Sequence, residues 1–220
     1  MEIFMPNDRQ LQESVLSELS WEPSVSAAHI GVTAKAGVVS LTGHVDSFLE
    51  KHTAEMAARR VKGVKAVAED IEVRLPFDDR RGDDDIAAAA IERLSWDVSV
   101  PRDSVKVSVD AGWVTLIGAV DWNYQKEAAE QDVRSLFGVI GLSNQLTIAP
   151  RVNTANLSDD ITHALHRSWF FDPKIITVNA DGGDVRLTGS VHTWHDRQVA
   201  GATAWAAPGA TMVTNDITIV

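Results

Sequence analysis

The sequence predicts an α+β protein of three tandem αββαβ units, each with two helices packed on a three-stranded mixed sheet. Three observations predict it. The segments VVSLTGHV (38–45), WVTLIGAV (113–120) and DVRLTGSV (184–191) repeat one pattern, with Gly43, Gly118 and Gly189 spaced 75 and then 71 residues apart. Gly37, Gly112 and Gly183 precede these glycines by six residues, and Gly63, Gly138 and Gly209 follow them by twenty. Between the glycines the hydrophobic period switches from helical to alternating and back, three times. Length alone suggests one or two domains. The repeat replaces that estimate with units at 8–75, 83–150 and 157–220.

Each element follows from local chemistry. In the first unit Asp8 is placed to cap a helix, whose apolar residues Leu11, Val15, Leu16 and Leu19 share one face. The second unit offers Ile86, Ala90, Ile91 and Leu94, and the third Ile161, Leu165, His166 and Trp169. Loops carrying Pro23, Pro101 and Pro173 follow. Strand one alternates through Ile30, Val32 and Ala34, through Val105, Val107 and Val109, and through Ile176, Val178 and Ala180. The glycines at 37, 112 and 183 close a tight hairpin. Strand two directs Val39, Leu41, Gly43 and Val45 to one face, and the glycine in that set predicts a helix crossing close above it.

Helix two starts near Asp46/Ser47, Asp121 and His192/Thr193. Its inner stripe is small: Ala54, Ala58 and Val61; Ala129, Val133 and Leu136; Ala200, Ala204 and Ala207. Gly63 and Gly138 suit left-handed helix ends, and Pro208-Gly209 stops the third helix. Strand three runs through Val67, Ile71 and Val73, through Leu142, Leu146 and Ile148, and through Val213, Ile217 and Ile219. Glu69, Asn144 and Asn215 interrupt its apolar phase, which predicts a bulge or a sheet rim.

Composition excludes several functions. The chain has no cysteine, hence no disulfide, thiol nucleophile or cysteine metal site. It has no apolar run of about 18 residues, the length a membrane span requires. The start MEIFMPNDRQ has neither a basic stretch nor an apolar one, so no export signal and a cytoplasmic location are expected, compatible with peripheral membrane association. The net charge is −11, more than half of it in residues 76–150, and no third of the chain is basic. Nucleic acid is therefore not an expected partner. LPFDDRRGDDD (75–85) reads as an exposed, mobile acidic linker whose aspartates open the next helix.

The αββαβ order, the paired glycines and the third-strand segment VKGVKAVAEDIEV (61–73) resemble the BON domain family. Three copies cover almost the whole chain, as in three-copy bacterial stress proteins of that family. The resemblance implies a non-catalytic binding module of osmotic or envelope stress, with phospholipid membranes as the proposed target. It also implies two alternatives, a stress scaffold that contacts other proteins in a chaperone-like way, and potassium sensing. It transfers no binding residue, because the matching positions are structural glycines and core aliphatics.

Site chemistry is sparse. His163/His166 and His192/His195 have metal-compatible helical spacing, but only the third unit has them and no acidic ligand stands at the right offset, so they read as ordinary histidines and no metal is assigned. Asp181-Gly182-Gly183-Asp184 is explained by its hairpin turn. No nucleophile elbow, phosphate loop or zinc-protease motif occurs, so no catalytic residue, enzyme activity or cofactor is expected. Trp21, Trp96 and Trp169 are expected to pack in the core or between units. Phe48, Trp122, Tyr124 and Trp194 cluster at the start of helix two, where an aromatic either staples the helix or protrudes toward a lipid or protein partner.

Overall fold

The computed structural model describes residues 7–150, 154, 156–167 and 175–220. The first repeat comprises α1 (Asp8–Trp21), β1 (Ile30–Lys35), β2 (Val38–Val45), α2 (Phe48–Arg60) and β3 (Ala66–Val73). The second comprises α3 (Asp83–Trp96), β4 (Val105–Asp110), β5 (Trp113–Val120), α4 (Asn123–Arg134) and β6 (Gly141–Ile148). The third comprises α5 (Leu157–Arg167), β7 (Ile176–Asp181), β8 (Asp184–Val191), α6 (Trp194–Trp205) and β9 (Met212–Ile219). Trp169 and Pro173 lie outside the described residues. Each sheet has strand two at its centre. In the first and third sheets strand one runs antiparallel and strand three parallel to it. A parallel neighbour needs a crossover, which helix two provides.

The chain divides into two compact units. One is Met1–Ala90 with Val109–Val114 and Val133–Leu142; the other is Ile91–Ser108, Thr115–Asp132 and Ser143–Val220. The core of the first repeat packs Leu11, Val15 and Leu19 of α1 and Ala54, Ala57 and Ala58 of α2 on Val39, Leu41 and Ile71. The third repeat does the same with Ile161 and Leu165, Ala200 and Ala204, and Val185, Leu187 and Ile217. The alanine stripe of helix two lets its backbone lie close to the sheet.

Four expectations are corrected. Asn7, not Asp8, caps α1: its side chain accepts the Gln10 amide at 2.7 Å. Asp8 instead accepts the amide of Ala36 at 2.7 Å, and Asp83 those of Ala111 and Gly112 at 2.8 and 2.9 Å. Helix one thus holds the hairpin turn of its own repeat, where Ala36 and Ala111 adopt positive φ of 52° and 50°.

Second, no helix crosses Gly43. Its φ is +123°, and a Cβ there would stand 2.0 Å from the carbonyl oxygen of His29. Gly118 meets the Ser104 carbonyl and Gly189 the Ile175 carbonyl at the same 2.0 Å. The glycine admits the backbone leading into strand one.

Third, of the two alternatives for the polar residue of strand three the rim holds and the bulge does not: strand three is at the edge of each sheet, and β3 and β9 pair residue by residue with the central strand. Asn144 donates to the Lys126 carbonyl at 2.9 Å, and Asn215 to the Arg197 carbonyl at 2.8 Å. Glu69 pairs with Lys51 at 3.1 Å. These residues tie helix two to strand three.

Fourth, Trp21 and Trp96 are not core: they are 86% and 78% exposed. Leu19 fills the inward position, and Trp21, two residues on, points about 200° around the helix from it. Leu16 and Ile91 are also exposed, at the rim of the apolar face.

Candidate functional site

Helix two begins in each repeat with an acceptor that gathers loop amides. Buried Glu50 accepts the amides of Ser26 at 2.6 Å and Asp46 at 3.1 Å. Gln125 stands 75 residues on and accepts those of Asp121 and Trp122 at 2.9 and 3.1 Å. Asp196, 71 further on, accepts the Thr193 amide at 3.1 Å within a capping box. Glu50 therefore does not neutralise Lys51, whose ammonium donates to the Ile71 carbonyl at 2.7 Å.

The four aromatics expected here do not share one position. Phe48 and Trp194 are the first residues of α2 and α6, both half-buried. The matching residue of the second repeat is buried Asn123. The Arg197 guanidinium lies 4.9 Å from the centre of the Trp194 ring, which covers one ring face. Trp122 stands where Ser47 and Thr193 cap the other two helices. An indole cannot accept the amide, and the missing cap forgoes about 1 kcal/mol of helix stabilisation. Tyr124 is 56% exposed, at the place of exposed Leu49.

Trp122, Asn123, Tyr124 and Glu127 line a cleft of about 300 Å³ within the second unit, with Ala202, Trp205 and Ala206 on its other wall. Sequence reading missed Trp205, because Arg59 and Arg134 hold the equivalent positions and helical spacing alone does not bring α6 to α4. A second hollow is lined by Arg74, Arg80, Arg81, Asp83, Gly112 and Gly138, among others. Its charges are already engaged. Arg74 pairs with Glu72, Arg81 donates to the carbonyls of Asp78 and Arg80 and lies over Phe137, and Asp83 holds the hairpin. Among the described residues no three of His, Asp or Glu converge on a point that would hold a metal. His163 and His166 are exposed on α5. No helix of the described residues is long and apolar enough to cross a membrane.

The BON domain family model matches residues 7–74, 82–150 and 153–220. The chain belongs to the BON domain family. Each match spans one αββαβ repeat, and the BON glycines at 37, 112 and 183 meet their partners at 63, 138 and 209. A Cβ on Gly112 or Gly183 would lie 2.8 Å from the carbonyl of Gly138 or Gly209. Osmotically-inducible protein Y of Escherichia coli (strain K12) is 28% identical over 144 residues, 64% of this chain and 72% of that protein. Among solved structures, CdsD, a structural protein of the type III secretion system of Chlamydia trachomatis, aligns over 94% of this chain and 91% of its own at 15% identity, with a TM-score of 0.27. A structure of its C-terminal domain aligns over 100% and 99% with the same TM-score. Superpositions at that score carry no argument about arrangement or function.

Proposed function

We propose that the chain is a non-enzymatic binding protein of the bacterial osmotic-stress response, cytoplasmic, whose tandem BON modules associate peripherally with phospholipid membranes. The BON repeats and the similarity to an osmotically inducible protein support the setting. The observation that carries the membrane reading is the exposure of Trp21 and Trp96 at the ends of equivalent helices, since indoles in water favour an interface. Tyr124 joins them as the most exposed of the four aromatics at helix two. Phe48, Trp122 and Trp194 brace the same region from half-buried positions.

Charge sets the kind of surface. Glu13, Glu18 and Glu22 share α1 and its end with Trp21. The Ser24 hydroxyl and the Arg60 guanidinium hold the Glu22 carboxyl below the usual carboxylate range, so it stays ionised. Arg9 pairs with Glu13, and Arg60 with Glu18 and Glu22, so little net charge is left beside Trp21, and it is the −11 charge of the whole chain that disfavours anionic lipid. Co-sedimentation with vesicles tests the reading. Zwitterionic vesicles are expected to bind more than anionic ones at low salt, and Trp21→Ser with Trp96→Ser to lose the binding. Absence of binding to either lipid at low salt would overturn it. The net charge of −11 favours a second reading, a scaffold for basic protein segments, which a pulldown from osmotically stressed cells with and without the two substitutions tests.

A further inference from the structure

We propose that the cleft between the start of α4 and the end of α6 binds an alkylated ammonium cation. Its volume of about 300 Å³ lies at the small end of ligand pockets. Trp122, Tyr124 and Trp205 supply three aromatic rings, and Ala202 and Ala206 complete an apolar wall at helical spacing with Trp205. Glu127 is the one ionisable carboxylate of the lining. The Asn123 amide donates to it at 2.8 Å and so fixes its orientation. The adjacent Lys126 does not neutralise it, because its ammonium reaches the Leu146 carbonyl at 2.7 Å.

The lining departs from the repeat where the cleft forms. Trp122 replaces the capping Ser47 and Thr193, Trp205 replaces Arg59 and Arg134, and Glu127 replaces His52 and Gln198. Folding of the repeat therefore does not require this set. Its chemistry selects among ligands. An anion meets the Glu127 charge. A bare calcium or magnesium ion needs six or more oxygens, and the lining offers a single carboxylate and neither histidine nor cysteine for a softer metal. A neutral apolar solute gains nothing from the Glu127 charge. An ammonium carrying methyl groups presents a positive, apolar surface that suits the ring faces and the carboxylate together.

This site needs no membrane and so goes beyond the reading above. A trimethylammonium group also occurs on lipid headgroups, so the test has two arms. Tetramethylammonium and choline are titrated calorimetrically into the full chain, alongside the uncharged alcohol in which carbon replaces the choline nitrogen. Saturable binding is expected for both cations, about tenfold weaker for the uncharged analogue and about tenfold weaker in Tyr124→Ala or Trp205→Ala. Glu127→Gln is expected to weaken it as well, while Trp205→Phe retains it. Tyr124 and Glu127 are exposed, so their variants keep the fold, which circular dichroism checks. No saturable binding, equal binding of the uncharged analogue, or variants that bind like the parent would overturn the proposal. In the second arm, phosphatidylcholine vesicles that tetramethylammonium displaces identify a headgroup, whereas binding of the free cation without vesicle binding identifies a solute. Vesicle binding that survives Glu127→Gln and is not displaced rejects a headgroup as the ligand of this cleft and leaves membrane association standing on Trp21 and Trp96.

Discussion

At the residue scale, function and fold turn on positions where a side chain is absent or charged for one stated reason. Gly43 was legible as special from its spacing, but the cause was not, since nothing in a strand pattern says which backbone comes close. The His29 carbonyl explains it, together with a φ of +123°. Gly43→Val should therefore destabilise the protein by about 3 kcal/mol or more, measured by chemical denaturation. Titration gives a second test. The Ser99 amide, 2.7 Å from the Asp97 carboxylate, holds that carboxyl below the usual range. A depressed pKa contributes stability that is present above the unfolded value and lost as pH falls through the folded one. Asp97→Asn keeps an acceptor oxygen without the charge, so the Tm gap between parent and variant should be widest near neutrality and close in acid. Neighbouring Asp132 has the opposite sign, as burial pushes its carboxyl up against the pull of Arg93. Its ionised form opposes folding, and that effect fades as pH falls through its raised value.

At the element scale, the helices and strands were legible because period and glycine spacing report local geometry. What joins them was not. The acceptor at 50, 125 and 196 is Glu, Gln and Asp, so no single residue type marks it. Glu50→Gln should be tolerated, at about 1 kcal/mol or less, because Gln125 performs the same task in the second repeat. Glu50→Ala leaves the Ser26 and Asp46 amides without that acceptor and should lower stability by about 2–3 kcal/mol. Thermal melts of the two variants side by side check the contrast, and equal losses would reject the amide-gathering role. The polar residue of strand three was visible as a break in the pattern. Only packing showed that it faces helix two and binds it, through backbone carbonyls at Asn144 and Asn215 and through the Lys51 side chain at Glu69. The exposed Trp21 has the same lesson in reverse: size and hydrophobicity suggest burial, while helix phase places it in solvent.

At the scale of the whole molecule, the first and third repeats have separate cores and lie in different compact units. Gly43→Val should therefore raise amide exchange in β1, β2 and β3 while β7, β8 and β9 keep their protection, by residue-resolved hydrogen exchange. Equal loss in both sheets would mean one cooperative body. The −11 charge, concentrated in the middle third, enters α3 through Asp83, Asp84 and Asp85, where the helix dipole favours acids. The sequence by itself determined the three αββαβ repeats, their glycines and their aliphatic cores, because these depend on backbone conformation and on periods shorter than one element. Only the tertiary structure decided which carbonyl faces Gly43, that Asp8 and Asp83 hold hairpins, and that Trp205 lines one cleft with Trp122, Tyr124 and Glu127. Those pairings join residues 14 to 83 positions apart, and no local pattern encodes which surfaces meet once each core has been buried.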